Sequence, residues 1–253
     1  MPDSWLMIGA VALGAVLAGF VQGVSGFAFS LVAMGLWAWA LPPQIAAPLA
    51  VFGALLGQVA SLASVRAGFD FRRIAPLVVG GALGVPVGVF LLHNADPLRF
   101  KLAIGTLLTL YGLYGLTVRD PPRVKTGGGG LDAFAGVIGG VLGGLAGMSG
   151  TVPAIWTQLR GWKRDLRRAT MQIYNIAMHV LTLSAYASTG TLDARAFRLF
   201  ALVAPAMLIP SYIGARFYHR FSEKAFERLV LALLLASGLA LLAGGARTLW
   251  GRH

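Results

Sequence analysis

Residues 5–41 form an apolar run without a single charged side chain. As one helix the run would be about 55 Å long, far beyond the roughly 30 Å of bilayer hydrocarbon. It must break. Gly23-Val24-Ser25-Gly26 is the expected place, because glycine adopts non-helical dihedrals without strain. The piece that follows, 27–40, is only about 21 Å long if helical. That is short for a crossing and long enough for one arm of a re-entrant hairpin. Pro42-Pro43 ends it. Further apolar spans are predicted over 44–65, 74–92 and about 97–118, the last capped by Asp96-Pro97.

The pattern then repeats. An apolar stretch from Asp132 leads to Gly140, Gly143, Gly144, Gly147 and Gly150, followed by a short piece over 151–159. Adding 121 to Gly19, Gly23 and Gly26 gives Gly140, Gly144 and Gly147. Spans over 169–188 and 197–215 follow, and Ser222-Glu223 is read as the cap of a last span. The chain is therefore expected to be an all-α polytopic membrane protein of two homologous repeats, 5–118 and 132–245, joined by a linker over 119–131. Each repeat is a broken or re-entrant helix hairpin plus three transmembrane helices. Gly80, Gly84 and Gly88 lie four residues apart, a spacing that favours close helix packing in lipid.

Charge sets the expected orientation. Loops 66–73, 119–125, 160–168 and 216–228 carry three, three, five and four Lys or Arg, whereas 93–101 and 189–198 carry two each. Basic loops stay cytoplasmic. The two repeats then come out inverted, with both termini outside. Inverted repeats that meet at broken helices put a substrate site near the midplane.

Composition narrows the function. Of 253 residues, 57% are hydrophobic and 12% charged, against roughly 25% charged in soluble domains. The net charge of +12 sits in short loops, so it reads as topology and not as a nucleic-acid surface. There is no cysteine, hence no thiolate metal site or cysteine nucleophile. No cofactor is implied. The N-terminus lacks a basic leader region, so the first apolar run is expected to be retained. All nine carboxylates fall in loops or at helix ends. A cation carrier or carboxylate proton relay would place acids inside the bundle.

An anion needs no carboxylate. Backbone N–H groups at the half-helix N-termini can hold it, where the helix dipole is positive. The expected substrate-binding residues at the breaks are Gln22, Gly23, Ser25, Gly26 and Phe27 in the first, and Gly147, Met148, Ser149, Gly150 and Thr151 in the second. Gln172, Asn175, His179, Thr182 and Tyr186 form a polar stripe at spacings of three and four. Gln58, Ser61 and Ser64 form a weaker stripe in the first repeat. In lipid such stripes must face protein or a water-filled cavity. The plainer reading is that the glycines allow helix crossing and the hydroxyls bond their own backbone. His179 is a candidate for anion binding or proton coupling, and more plainly a neutral hydrogen-bonding residue. One histidine without acidic partners makes no metal site. Arg66, Arg160 and Arg168 mark cytoplasmic helix ends and would attract anions or simply anchor to headgroups. Trp37, Trp39, Trp156 and Trp162 fit interfacial belts, with Trp156 also placed to line a cavity.

These features together resemble the TauE/SafE family of membrane permeases. The resemblance rests on the paired glycine-rich breaks, the short piece after each, and the elements Gly68-Phe69-Asp70 and Gly190-Thr191-Leu192-Asp193. It covers about 10–243. It implies secondary transport of small anions, typically sulfite, sulfonates such as sulfoacetate, or related organic acids, across the bacterial inner membrane. Where the family has Gly-x-Gly-Gly-Gly, this chain has Gly26-Phe27-Ala28 and Gly147-Met148-Ser149-Gly150, so Phe27 and Met148 reshape the pocket. The implied partners are a small anion, the lipid bilayer and, at most, further copies of the chain. The alternatives are an anion channel using the same backbone donors, or an intramembrane enzyme, for which a Ser-His pair alone is thin.

Overall fold

The computed structural model describes residues 2–26, 28–62, 70–118, 121–124, 126–217 and 223–250. Phe27, Ser64, Arg66 and Ser222 lie outside the described residues. The chain folds into helices α1 Pro2–Ser25, α2 Phe29–Ala40, α3 Pro43–Ser61, α4 Phe71–His93, α5 Pro97–Thr117, α6 Gly128–Ala146, α7 Thr151–Leu159, α8 Arg164–Ser188, α9 Ala194–Phe217 and α10 Glu223–Trp250. Seven of them are long and apolar enough to cross a bilayer. The protein is a multi-pass membrane protein. Its outer surface is apolar, with Leu83, Phe90, Ile209 and Leu233 each more than half exposed.

The cap expected at Asp96 is in place, and Asp193 supplies one that was not expected. Asp96 Oδ1 accepts from the N–H groups of Leu98 (3.0 Å) and Arg99 (2.9 Å) at the start of α5. Asp193 Oδ1 accepts from Ala196 N–H (2.7 Å) at the start of α9. Helix α8 begins five residues before the apolar pattern does. Its first turns are basic and polar, and only the later residues carried a hydrophobic signal.

Glycine sets the closest packing. A Cβ on Gly80, Gly84 or Gly88 of α4 would come 1.9–2.2 Å from the carbonyl oxygens of Ala133, Val137 and Val141 on α6. Reciprocally, Gly136, Gly140 and Gly144 face the carbonyls of Leu77, Gly81 and Val85. Both helices ascend together, so the pair is parallel. Helix α1 lies parallel to α9 in the same way, Gly19 against Met207 and Gly23 against Ser211. Helices α5 and α10 run antiparallel, with Gly112 against Leu231 and Gly105 against Leu241. Helices α3 and α8 lie between the α4–α6 and α1–α9 pairs and run antiparallel to one another. Gln172 meets Gln58 and Ser61 at one end, and Thr191 lines one cavity with Pro42 and Gln44 at the other.

Both short helices fold back. Trp37 Nε1 on α2 donates to the Ala10 carbonyl on α1 (3.1 Å), and the Trp37 ring lies where a Gly14 side chain would be. Trp37 is fully buried, so it is an internal packing residue and not part of an interfacial belt. The α6–α7 hairpin closes on its own base. Trp156 Nε1 donates to Asp132 Oδ1 (2.7 Å), and Arg160 Nε pairs with the same oxygen (3.3 Å).

Candidate functional site

At the first break, α1 ends at Ser25, and Gly26 takes φ +84°, a left-handed conformation that glycine alone adopts without strain. A turn of this kind strands the first N–H groups of the next helix. Gln22 answers that need. Its Nε2 donates to the Gly26 carbonyl (3.1 Å), and its Oε1 accepts from Phe29 N–H (3.0 Å). Ser25 Oγ donates to the Val21 carbonyl (2.8 Å) and accepts from Ala28 N–H (3.3 Å). Both side chains serve the break itself. Gln22→Leu leaves Gly26 C=O and Phe29 N–H without these partners. It is expected to destabilise the protein by about 2 kcal/mol, measured as a lower melting temperature in detergent.

At the second break Gly147 takes φ +70°. Its N–H returns to the Gly143 carbonyl (2.8 Å), and Met148 N–H returns to Leu142 (3.2 Å). Thr151 Oγ1 bonds the Met148 carbonyl (2.9 Å). Ser149 is fully buried, and its Oγ donates out of the break to Asn175 Oδ1 on α8 (3.2 Å). Gly150 leaves room for that amide, since a Cβ there would lie 2.7 Å from Asn175 Oδ1.

The two breaks converge on α3. Ser30 Oγ, just past the first break, donates to the Ala50 carbonyl (3.2 Å). Gly147 lies against the Ala50–Val51 backbone, and Gly57 faces the Gln22 side chain. Helix α8 closes the other side. Gln172 Nε2 donates to the Gln58 carbonyl and to Ser61 Oγ. The structure thus brings Gln58, Ser61, Gly147, Met148, Ser149, Gly150, Thr151, Gln172, Asn175 and His179 to the α3–α8 crossing or the second break beside it. Gly26 and the Gln22 amide flank α3 at the first break. Gly23 is elsewhere, packed on α9. Tyr186 is committed to the Gly144 carbonyl (2.6 Å) and anchors α8 to α6.

Among the described residues, four buried polar atoms on these two helices have no hydrogen-bond partner: Gln58 Oε1, Thr170 Oγ1, His179 Nδ1 and Thr182 Oγ1. His179 is 3% exposed and Thr182 fully buried. Native proteins rarely bury polar atoms without partners, and each costs about 1–3 kcal/mol. Gln58, His179 and Thr182 stand on the two helices that pack between the breaks, whereas Thr170 lies on the face of α8 opposite Gln172. Among the described residues no group of histidine and carboxylate side chains could hold a metal ion.

Two features escaped the sequence reading. Asp132 is 4% exposed although it stands near a helix end. Arg160 is held between it and the carbonyls of Val124 (3.4 Å) and Thr126 (3.2 Å). The signal in the sequence is the spacing of Trp156 and Arg160, four residues apart across the last turn and C-cap of α7.

Residues 11–241 match the model of the family described as Sulfite exporter TauE/SafE. The chain belongs to this family. A TauE/SafE protein of Cupriavidus necator, described as a probable sulfite/organosulfonate exporter TauE, is 27% identical over 230 residues. The match covers 88% of this chain and 89% of that protein. No solved structure matches. Family membership makes the protein a membrane transporter and not an enzyme, as the sequence reading expected.

Proposed function

We propose that the protein is a secondary transporter of small anions, sulfite and sulfonates such as sulfoacetate or related organic acids, across the bacterial inner membrane. The anion is held at the α3–α8 crossing, between the two breaks. The observation that carries this reading is the set of buried polar atoms without partners on α3 and α8. The N-terminus of α7 adds a positive dipole end beside Ser149 and Asn175. No charged side chain is needed to hold the anion, which leaves it free to depart.

In this reading 5–118 and 132–245 are inverted repeats, and both hairpins re-enter from the face they start on. The helix pairing supports it. If α1–α5 are matched in order to α6–α10, the parallel pair α1 and α9 maps onto the parallel pair α6 and α4. The pairs α3 with α8 and α5 with α10 map onto themselves, and each runs antiparallel, as inversion requires.

Asn175→Leu removes the acceptor of Ser149 Oγ and one polar wall of the site while keeping the side-chain volume close. Anion flux at subsaturating concentration is expected to fall about tenfold or more, the equivalent of one lost hydrogen bond of about 1.4 kcal/mol. The check is initial-rate uptake in proteoliposomes with matched protein content. Unchanged uptake would remove Asn175 from the site.

A further inference from the structure

A cavity of about 290 Å³ opens between the α2–α3 turn and the α8–α9 loop, away from the central crossing. Gln44, Leu49, Thr191, Asp193, Arg195 and Leu199 are among its lining residues. Most of its polar groups are already used. Gln44 Nε2 donates to the carbonyls of Leu92 (3.3 Å) and Ala95 (3.5 Å), and Asp193 Oδ1 caps α9. Arg195 is different. Its guanidinium touches Met7 Sδ (2.9 Å), a weak acceptor, and among the described residues it forms no ion pair.

The floor of the cavity is formed by Leu49 of α3 and Leu199 of α9. One turn further along α3 stands Phe52, and next to Leu199 stands Phe200. Their rings stack at 4.2 Å between centroids with 10° between planes. Phe197 packs edge-on against Phe200 at 5.9 Å. Gln58 lies about 9 Å beyond Phe52 along α3. On α8, Thr182 and His179 lie between Thr191 and Gln172. The aromatic pair stands at the α3–α9 contact, directly beyond the cavity's Leu49 and Leu199, and the unpartnered polar atoms lie further along α3 and α8.

We infer that this cavity is one mouth of the pathway, that Arg195 docks a small monovalent anion there, and that the stacked Phe52–Phe200 pair is the barrier between mouth and central site. This rests on the transport reading above. Monovalence follows from Asp193, whose carboxylate shares the cavity and opposes a second negative charge.

The chain has no cysteine, so single thiols report accessibility directly. Thr191→Cys, with Ala196→Cys as a second position, is exposed in sealed vesicles to two impermeant methanethiosulfonates, one sulfonate-bearing and one trimethylammonium-bearing. The expected result is a preference for the anionic reagent of about tenfold that is lost on Arg195→Gln. Methanesulfonate should slow labelling at these positions, and sulfate should do so far less. A thiol from Thr182→Cys should stay inert while both phenylalanines are present, and react at least about tenfold faster with Phe200→Leu or Phe52→Leu. Equal rates for the two reagents with Arg195 present would overturn the docking role. So would equal protection by sulfate for the monovalent assignment. A thiol at 182 that reacts freely behind the intact pair, or stays inert after both leucine substitutions, would overturn the barrier. Labelling needs no transport. Absence of anion flux in the wild type would sink the transport reading and leave these outcomes standing on their own.

Discussion

Gly140→Val will abolish the folded protein, and Gly80→Val will do the same. Both positions sit where α4 and α6 touch backbone to backbone. A Cβ on Gly140 would stand 2.0 Å from the Gly81 carbonyl oxygen, and one on Gly80 would stand 1.9 Å from that of Ala133. Neither neighbour is a flexible side chain that can swing away. Relief requires the two helices to separate, which undoes the reciprocal contacts at Gly84, Gly88, Gly136 and Gly144 together. Overpacking in an ordinary core costs about 1–3 kcal/mol, and a ladder of backbone contacts will exceed that range. Gly9→Val is the control, because nothing lies within 4 Å of a Cβ there. Size-exclusion of detergent extracts should show a monodisperse peak for Gly9→Val and aggregate or no protein for the other two. A normal peak for Gly140→Val would show that α4 and α6 do not pack as described.

Asp132→Ala is expected to destabilise the protein by about 3–5 kcal/mol, the usual cost of stranding one partner of a buried ion pair. Three groups depend on that carboxylate. Trp156 loses an acceptor at 2.7 Å, Arg160 loses its counter-ion at 3.3 Å, and the base of the α6–α7 hairpin loses its closure. The side chains of Arg160 and Asp132 are only 17% and 6% exposed, so water cannot fully replace the contact. Asp132→Asn should fall between, since an amide oxygen still accepts from Trp156. Arg160→Met in the Asp132→Leu background should recover much of the loss, because it removes the stranded charge. Thermal melting of the four variants in one detergent tests the ordering. If Asp132→Ala melted with the wild type, the hairpin base would not be held by this pair.

The fold was legible where a rule of length applied. A charge-free run too long for one helix forced a break, and the break falls at Gly26 as glycine chemistry demands. The short helix over 151–159 could be read to its last residue, because Gly150 and the basic loop bound it on both sides. The division of labour among glycines was not legible. Gly23 and Gly26 look alike in sequence, yet Gly23 packs on α9 while Gly26 carries the left-handed turn. Only the partner helix, far away in the chain, separates the two roles. The same holds for Trp37, which is indistinguishable in sequence from an interfacial tryptophan until α1 is seen to offer Gly14 as its seat. At the site, the α8 stripe was readable from its three-and-four spacing. Gln22 and Ser25 are candidate substrate donors by sequence, and in the structure their polar atoms bond the backbone of the break itself. Side-chain hydrogen bonds made locally compete with ligand contacts, and sequence does not reveal which one wins. Asp132 near the start of α6 looked like a solvated helix end because its partners lie 24 and 28 residues away.

The most direct test of the central claim is uptake of labelled sulfite into proteoliposomes, with methanesulfonate and sulfoacetate as competitors. It compares wild type, Gly9→Leu and Gly150→Leu. A side chain at 150 would displace the Asn175 amide, because even its Cβ stands 2.7 Å from Oδ1. The expected result is saturable uptake that the sulfonates compete away, equal rates for wild type and Gly9→Leu, and loss of uptake in a folded Gly150→Leu. Saturable uptake that persists unchanged in Gly150→Leu would contradict a site between the two breaks.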